Sequence, residues 1–119
     1  MNKAIGYIRV STQQQAEEGV SLEAQRAKIE AWCFVNDYEL TNVYCDSGIS
    51  GTKSDRPELL KALKQTTKDT ALVCYSLSRL TRSTKDMLQL SEELNRKGAN
   101  LVSLTEKIDT TTAAGKMLF

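Results

Sequence analysis

The amino-acid sequence predicts an α/β domain with a largely parallel central sheet of about four to five strands, flanked by helices. Three observations lead there. Short β-rich apolar runs alternate with longer segments whose apolar residues recur three and four apart. One of the short runs, residues 71–77, is almost wholly apolar, as in a strand buried on both faces. The 119 residues suit one domain and hardly two, so residues 1–119 are taken as a single unit.

Each element has a local reason. Residues 3–10 are β-rich and apolar, and the polar run 11–15 ends them. Ser21 is a plausible N-cap. The helix behind it runs to about residue 35, with Leu22, Ile29, Trp32 and Cys33 on roughly one face. Residues 39–45 form the second strand, and 46–55 form a loop rich in glycine and short polar side chains. Pro57 fits a first helical turn, and Leu59, Leu60 and Leu63 give that helix an apolar side. Residues 71–77 are the third strand. Ser83 can cap a helix running to about residue 97, with Met87, Leu90 and Leu94 as its apolar stripe. Gly98 suits the C-terminus of that helix. Residues 101–104 are the fourth strand. Residues 113–119 read as the start of a last helix with no stop signal, so the chain is expected to be a fragment of a longer protein.

Composition narrows the chemistry. Histidine is absent, which removes the commonest general base and the commonest metal ligand. Cys33, Cys45 and Cys74 are odd in number and lack CxxC spacing, so reduced, mostly buried thiols are expected. No run approaches the roughly 18 apolar residues of a membrane span. The N-terminus lacks a signal-peptide core, so a cytoplasmic location without membrane contact is expected. The net charge of +1 argues weakly against a DNA-wrapping surface, unless cations are focused at one site or supplied by another segment.

Open parallel sheets bind ligands beyond the carboxyl ends of their strands. Arg9, Ser11 and Gln15 follow or end the first strand. Asp46, Ser50 and Arg56 follow the second. Ser78, Arg79 and Arg82 follow the third. Arg9 and Ser11 share a face if the strand persists. Arg79 and Arg82 share one if their segment is helical. Guanidiniums bind phosphate bidentately and keep their charge at any working pH. A hydroxyl among them suits phosphoryl transfer, where losing one such donor costs on the order of 3 kcal/mol. Spacing alone supports only an anion-binding edge, since a serine after a strand is usually a turn or cap residue. Neither GxGxxG nor GxxxxGK[ST] occurs, which argues against a nucleotide or flavin module.

The same residues carry a resemblance. Tyr7-Ile8-Arg9-Val10-Ser11-Thr12 with Gln15, then Ser50-Gly51 with Asp55-Arg56-Pro57, then Leu77-Ser78-Arg79-Leu80-Thr81-Arg82-Ser83 resemble the three motifs of the serine recombinase (resolvase/invertase) family, in order and spacing. The resemblance covers nearly the whole chain and implies a resolvase-like fold. It implies that Ser11 attacks a DNA phosphodiester and forms a 5′-phosphoserine link. Arg9, Arg56, Arg79 and Arg82 would surround the phosphate. Gln15, Gln25 and Asp46 match supporting polar positions. It further implies site-specific recombination of double-stranded DNA by a homodimer that assembles into a tetrameric synapse, with no cofactor, since the covalent link conserves the phosphodiester energy.

Two features qualify the resemblance. Ser78 stands where the family usually has Asp, which leaves the general base open. An alternative reading is therefore a catalytically silent module of the same fold that binds DNA or assembles. The connection 16–25 is longer than in small resolvases and resembles large serine integrases and transposases. The truncated helix near Thr112 would then be the start of the long dimerisation helix, with the DNA-binding domain beyond it.

Overall fold

The structure is a computed structural model that describes residues 2–10, 21–47, 57–80 and 84–111. Its elements in chain order are β1 (Asn2–Val10), α1 (Leu22–Val35), β2 (Tyr38–Ser47), α2 (Pro57–Gln65), β3 (Ala71–Cys74), α3 (Leu77–Leu80), α4 (Thr84–Lys97), β4 (Asn100–Ser103) and β5 (Ile108–Asp109). They form one five-stranded sheet in the order β2-β1-β3-β4-β5. The first four strands are parallel, and β5 pairs antiparallel with β4. The predicted sheet of about four to five strands is thus observed, with helices on both faces.

Alternation along the strands sorts the core into two halves. Ile5, Tyr7, Leu72, Cys74 and Leu101 face one way, against Leu59 and Ala62 of α2, Leu80 of α3 and Leu90 and Leu94 of α4. Ala4, Ile8, Ala71, Val73 and Val102 face the other, against Ile29 and Cys33 of α1. All four residues of β3 are buried, which is why that stretch reads as continuously apolar. Gly6 lets the layers approach: a Cβ there would stand 3.2 Å from Val43 Cγ2 and 3.4 Å from Ile29 Cγ2.

The helix ends follow their local signals. Ser21 caps α1, its hydroxyl accepting from the Ala24 N–H at 3.1 Å. Gly98 ends α4 at φ +75°, and the Ala99 N–H donates to the Leu94 carbonyl at 2.9 Å. The Lys97 ammonium donates to the Leu63 carbonyl at 2.7 Å, tying the last turn of α4 to the last turn of α2.

Several boundaries differ from the expectation. β2 runs on through Asp46 and Ser47, which pair with Arg9 and Val10 instead of opening a loop. A register shift between Ala4 and Ile5 leaves Thr41 as the extra residue, and its hydroxyl donates to the Ala4 carbonyl at 3.3 Å. β3 stops at Cys74, because the apolar character of Leu77 belongs to the next element: Leu77 and Leu80, three apart, are the inner side of a helical turn. Leu60 is exposed, and Ala62 takes the inward place beside Leu59. The buried line of α1 is Gln25, Ile29 and Cys33, with Leu22 and Trp32 flanking it half-buried. β5 has no sequence signal of its own. The Ser83 cap and the helix near Thr112 lie outside the described residues.

Cys33 and Cys74 are buried free thiols, as expected, while Cys45 is half-buried. Burial, with the nearby Glu30 carboxylate, pushes the Cys33 thiol up to about 11. Burial pushes Cys74 to about 12, although the neighbouring Ser103 side chain opposes it. Among the described residues, no helix is long and apolar enough to cross a membrane.

Candidate active site

The chain leaves β1 through α1 on one face and leaves β2 through α2 on the other. The crevice beyond the carboxyl ends of β1 and β3 is therefore the topological switch point of the sheet. Arg9 stands at the end of β1, Asp46 at the end of β2, and α3 follows β3 directly. The sequence expectation placed its polar groups at this edge.

Gln25 is fully buried and serves the backbone of β1. β3 accompanies β1 only as far as Tyr7, which pairs with Cys74. Two residues on, the Arg9 N–H donates to Gln25 Oε1 at 3.4 Å, and Gln25 Nε2 donates to the Arg9 carbonyl at 3.2 Å. The side-chain amide thus takes the place of a strand partner where the ladder has run out. It fixes the backbone two residues before Ser11.

Asp46 is buried and its carboxylate is fully engaged. Oδ2 accepts from the Tyr7 hydroxyl at 2.9 Å and from the Leu59 N–H at 3.2 Å. Oδ1 accepts from the Glu58 N–H at 3.3 Å. Pro57, the first residue of α2, has no N–H to satisfy. A carboxylate from β2 therefore caps the start of α2 and stabilises the positive end of its dipole. This frame ends one residue after Arg56. Tyr7 opens the first sequence motif but carried no role there; its place two residues before Arg9 on the same strand face is what brings it to Asp46.

Arg9 is fully buried on the face that carries Ile5 and Tyr7. A fixed charge in such low-dielectric surroundings acts more strongly than one at the surface. Ser78 and Arg79 lie in the backbone of α3, whose last residue, Leu80, is fully buried in the core cluster that also holds Tyr7 and Leu72. Ser11, Gln15, Arg56 and Arg82 lie outside the described residues. The structure therefore brings together Arg9, Gln25, Asp46 and the backbone of α3 at one edge.

Comparison with known proteins bears on the fold and the family. Residues 4–119 match the family model of the resolvase N-terminal domain. The DNA-invertase hin of Salmonella typhimurium is 40% identical over 119 residues, covering 97% of this chain and 54% of the invertase. The serine recombinase gin of Escherichia phage Mu is 40% identical over 116 residues, covering 97% of this chain and 53% of that protein. The solved N-terminal catalytic domain of TP901-1 integrase aligns with a TM-score of 0.84 at 33% identity, covering 98% of this chain and 88% of that one. The chain spans about half the length of the curated relatives it matches. It belongs to the resolvase N-terminal domain family, the family of the serine recombinases.

Proposed function

We propose that this chain is the catalytic domain of a site-specific serine recombinase and that Ser11 is its nucleophile. Ser11 Oγ attacks the phosphorus of a DNA phosphodiester, and a new Oγ–P bond replaces the P–O3′ bond. The 3′ oxygen leaves as a hydroxyl, taking up a proton as Ser11 gives one up. The 5′-phosphate stays on the protein, and the free 3′-hydroxyl of the exchanged strand later reverses the step. The phosphodiester energy is kept in the link, so neither ATP nor a metal is required. Arg9, Arg56, Arg79 and Arg82 neutralise charge on the equatorial oxygens. Gln15 supports the nucleophile's segment, Gln25 holds the backbone that precedes Ser11, and Asp46 holds the helix start that follows Arg56. The working partners are double-stranded DNA and further copies of the chain, a homodimer that assembles into a tetrameric synapse.

The observation that carries this reading is the Gln25 clamp on Arg9. A buried amide devoted to the backbone two residues before Ser11, at the switch point of the sheet, supports a site that needs a fixed nucleophile. The test uses the intact protein and duplex DNA bearing its recombination site. Wild type is expected to give a covalent protein–DNA species, and Ser11→Ala none. Cleavage by Ser11→Ala would contradict the mechanism. Binding without cleavage by wild type would favour a silent assembly module.

A further inference from the structure

The turn between β4 and β5 is built onto the segment that leads into α3. The Leu104 N–H donates to the Cys74 carbonyl at 3.1 Å, and the Thr105 N–H and hydroxyl both donate to the Tyr75 carbonyl, at 2.9 and 2.8 Å. Glu106 then reaches the start of α3: the Leu77 N–H donates to Oε1 and Oε2, each at 3.3 Å. Ser103, fully buried at the end of β4, donates its hydroxyl to Glu106 Oε1 and holds the carboxylate in that place. Lys107 next to it sits at φ +59°, a left-handed conformation unfavourable for a residue with a side chain. Backbone strain in a short turn points to a conformation imposed by its surroundings.

α3 needs such a support. It has four residues, fewer than an isolated helix requires to persist. Its first turn contains no acid of its own. Among the described residues it is anchored by the side chains of Leu77 and Leu80 in the core and by the Leu77 N–H on Glu106. Arg79 lies between those anchors.

We propose that Glu106 is a positioning residue for the strand-cleavage reaction: by holding the N-terminus of α3 it sets where Arg79 stands relative to the end of β1. The inference rests on the recombinase reading above. It differs from that reading in assigning a role to a residue outside the three motifs. An acid placed inside the first turn of α3 can do the same work, since it meets the same N–H groups and the same dipole end.

The experiment compares wild type, Glu106→Ala, Glu106→Gln, Ser78→Asp and the double variant Glu106→Ala/Ser78→Asp of the intact protein, on duplex DNA bearing its recombination site. Because a shift of about 1 Å can cost on the order of a hundredfold in rate, Glu106→Ala is expected to cleave roughly ten- to a hundredfold more slowly at saturating DNA. Its DNA affinity should stay near wild type, while its thermal midpoint should fall equally with and without Ser78→Asp, because both lose the acceptor of the buried Ser103 hydroxyl. Glu106→Gln keeps one acceptor oxygen and should lose less. Ser78→Asp should raise the rate of Glu106→Ala by a larger factor than it raises that of wild type, since only the former lacks an acid on the start of α3. Wild-type rates in both Glu106 variants would overturn the proposal, as would a gain from Ser78→Asp no larger in Glu106→Ala than in wild type. A wild type that forms no covalent species would instead overturn the recombinase reading, and this proposal with it.

Discussion

The side-chain amide of Gln25 closes both main-chain hydrogen bonds of Arg9, the donor at 3.4 Å and the acceptor at 3.2 Å. All of these groups are buried, so none has water as a substitute. Gln25→Ala should cost about 1–3 kcal/mol of stability, because it leaves a buried N–H and a buried carbonyl without partners. Gln25→Glu keeps the shape but removes the donor, and should also destabilise. Urea denaturation of the three proteins measures this. A loss below about 0.5 kcal/mol for Gln25→Ala would mean that the clamp contributes little.

Asp46 joins Tyr7 to the first turn of α2. Asp46→Ala should be the more damaging change, since it strips the cap and removes a buried acceptor of the Tyr7 hydroxyl, at about 1–3 kcal/mol. Tyr7→Phe should cost about 0.5–1.5 kcal/mol, since two backbone donors still serve the carboxylate. A double-mutant cycle should show a coupling of at least about 0.5 kcal/mol. Strict additivity would mean that the hydroxyl and the carboxylate do not interact in solution.

The three thiols should react unequally. The thiolate is the reactive form, and burial holds Cys33 near 11 and Cys74 near 12. Cys45 is also shifted upward by burial and by Asp46 and Glu58, but it is half-buried. At pH 8 an alkylating reagent should label Cys45 first, then Cys33, and Cys74 last, as peptide mapping will show. The folded values lie above the ordinary thiol value of 9.0, so the folded state keeps protons that the unfolded chain has lost. The stability these thiols contribute is full below the ordinary thiol value of 9.0 and is lost as pH rises toward about 11 and 12. A thermal midpoint unchanged from pH 8 to above pH 10 would contradict this.

Two left-handed positions carry opposite residues. Gly98 at φ +75° has the residue that its conformation favours, whereas Lys107 at φ +59° does not. Gly98→Ala should destabilise by roughly 1 kcal/mol, the strain of a side chain in that region. Lys107→Gly should be neutral or stabilising by up to about 1 kcal/mol, because glycine enters the region freely but loses more entropy on folding. Opposite signs in thermal denaturation are the expected result.

Local features were legible in the sequence, and non-local ones were not. Ser21 and Gly98 could be read because a cap depends on its immediate neighbours. The alternation of strands and helices could be read because burial imposes a period. The end of β3 was misplaced because an apolar run does not show whether Leu77 closes a strand or opens a turn. Asp46 was recognised as a polar position, but its partners are the Tyr7 hydroxyl and the backbone of α2, which only the fold brings near. Gln25 likewise serves Arg9 across 16 residues. Glu106 gave no signal at all, because its partner, the Leu77 N–H, is 29 residues away and has no side-chain signature.

The central claim is the covalent bond to Ser11. The most direct measurement traps the intact protein on duplex DNA bearing its recombination site, digests both components, and maps the nucleotide-bearing peptide by mass spectrometry. The expected result is one adduct, on Ser11, joined to a 5′-phosphate, with the other DNA end a free 3′-hydroxyl. An adduct on Tyr7 or any other side chain, or a 3′-phosphate linkage, would contradict it.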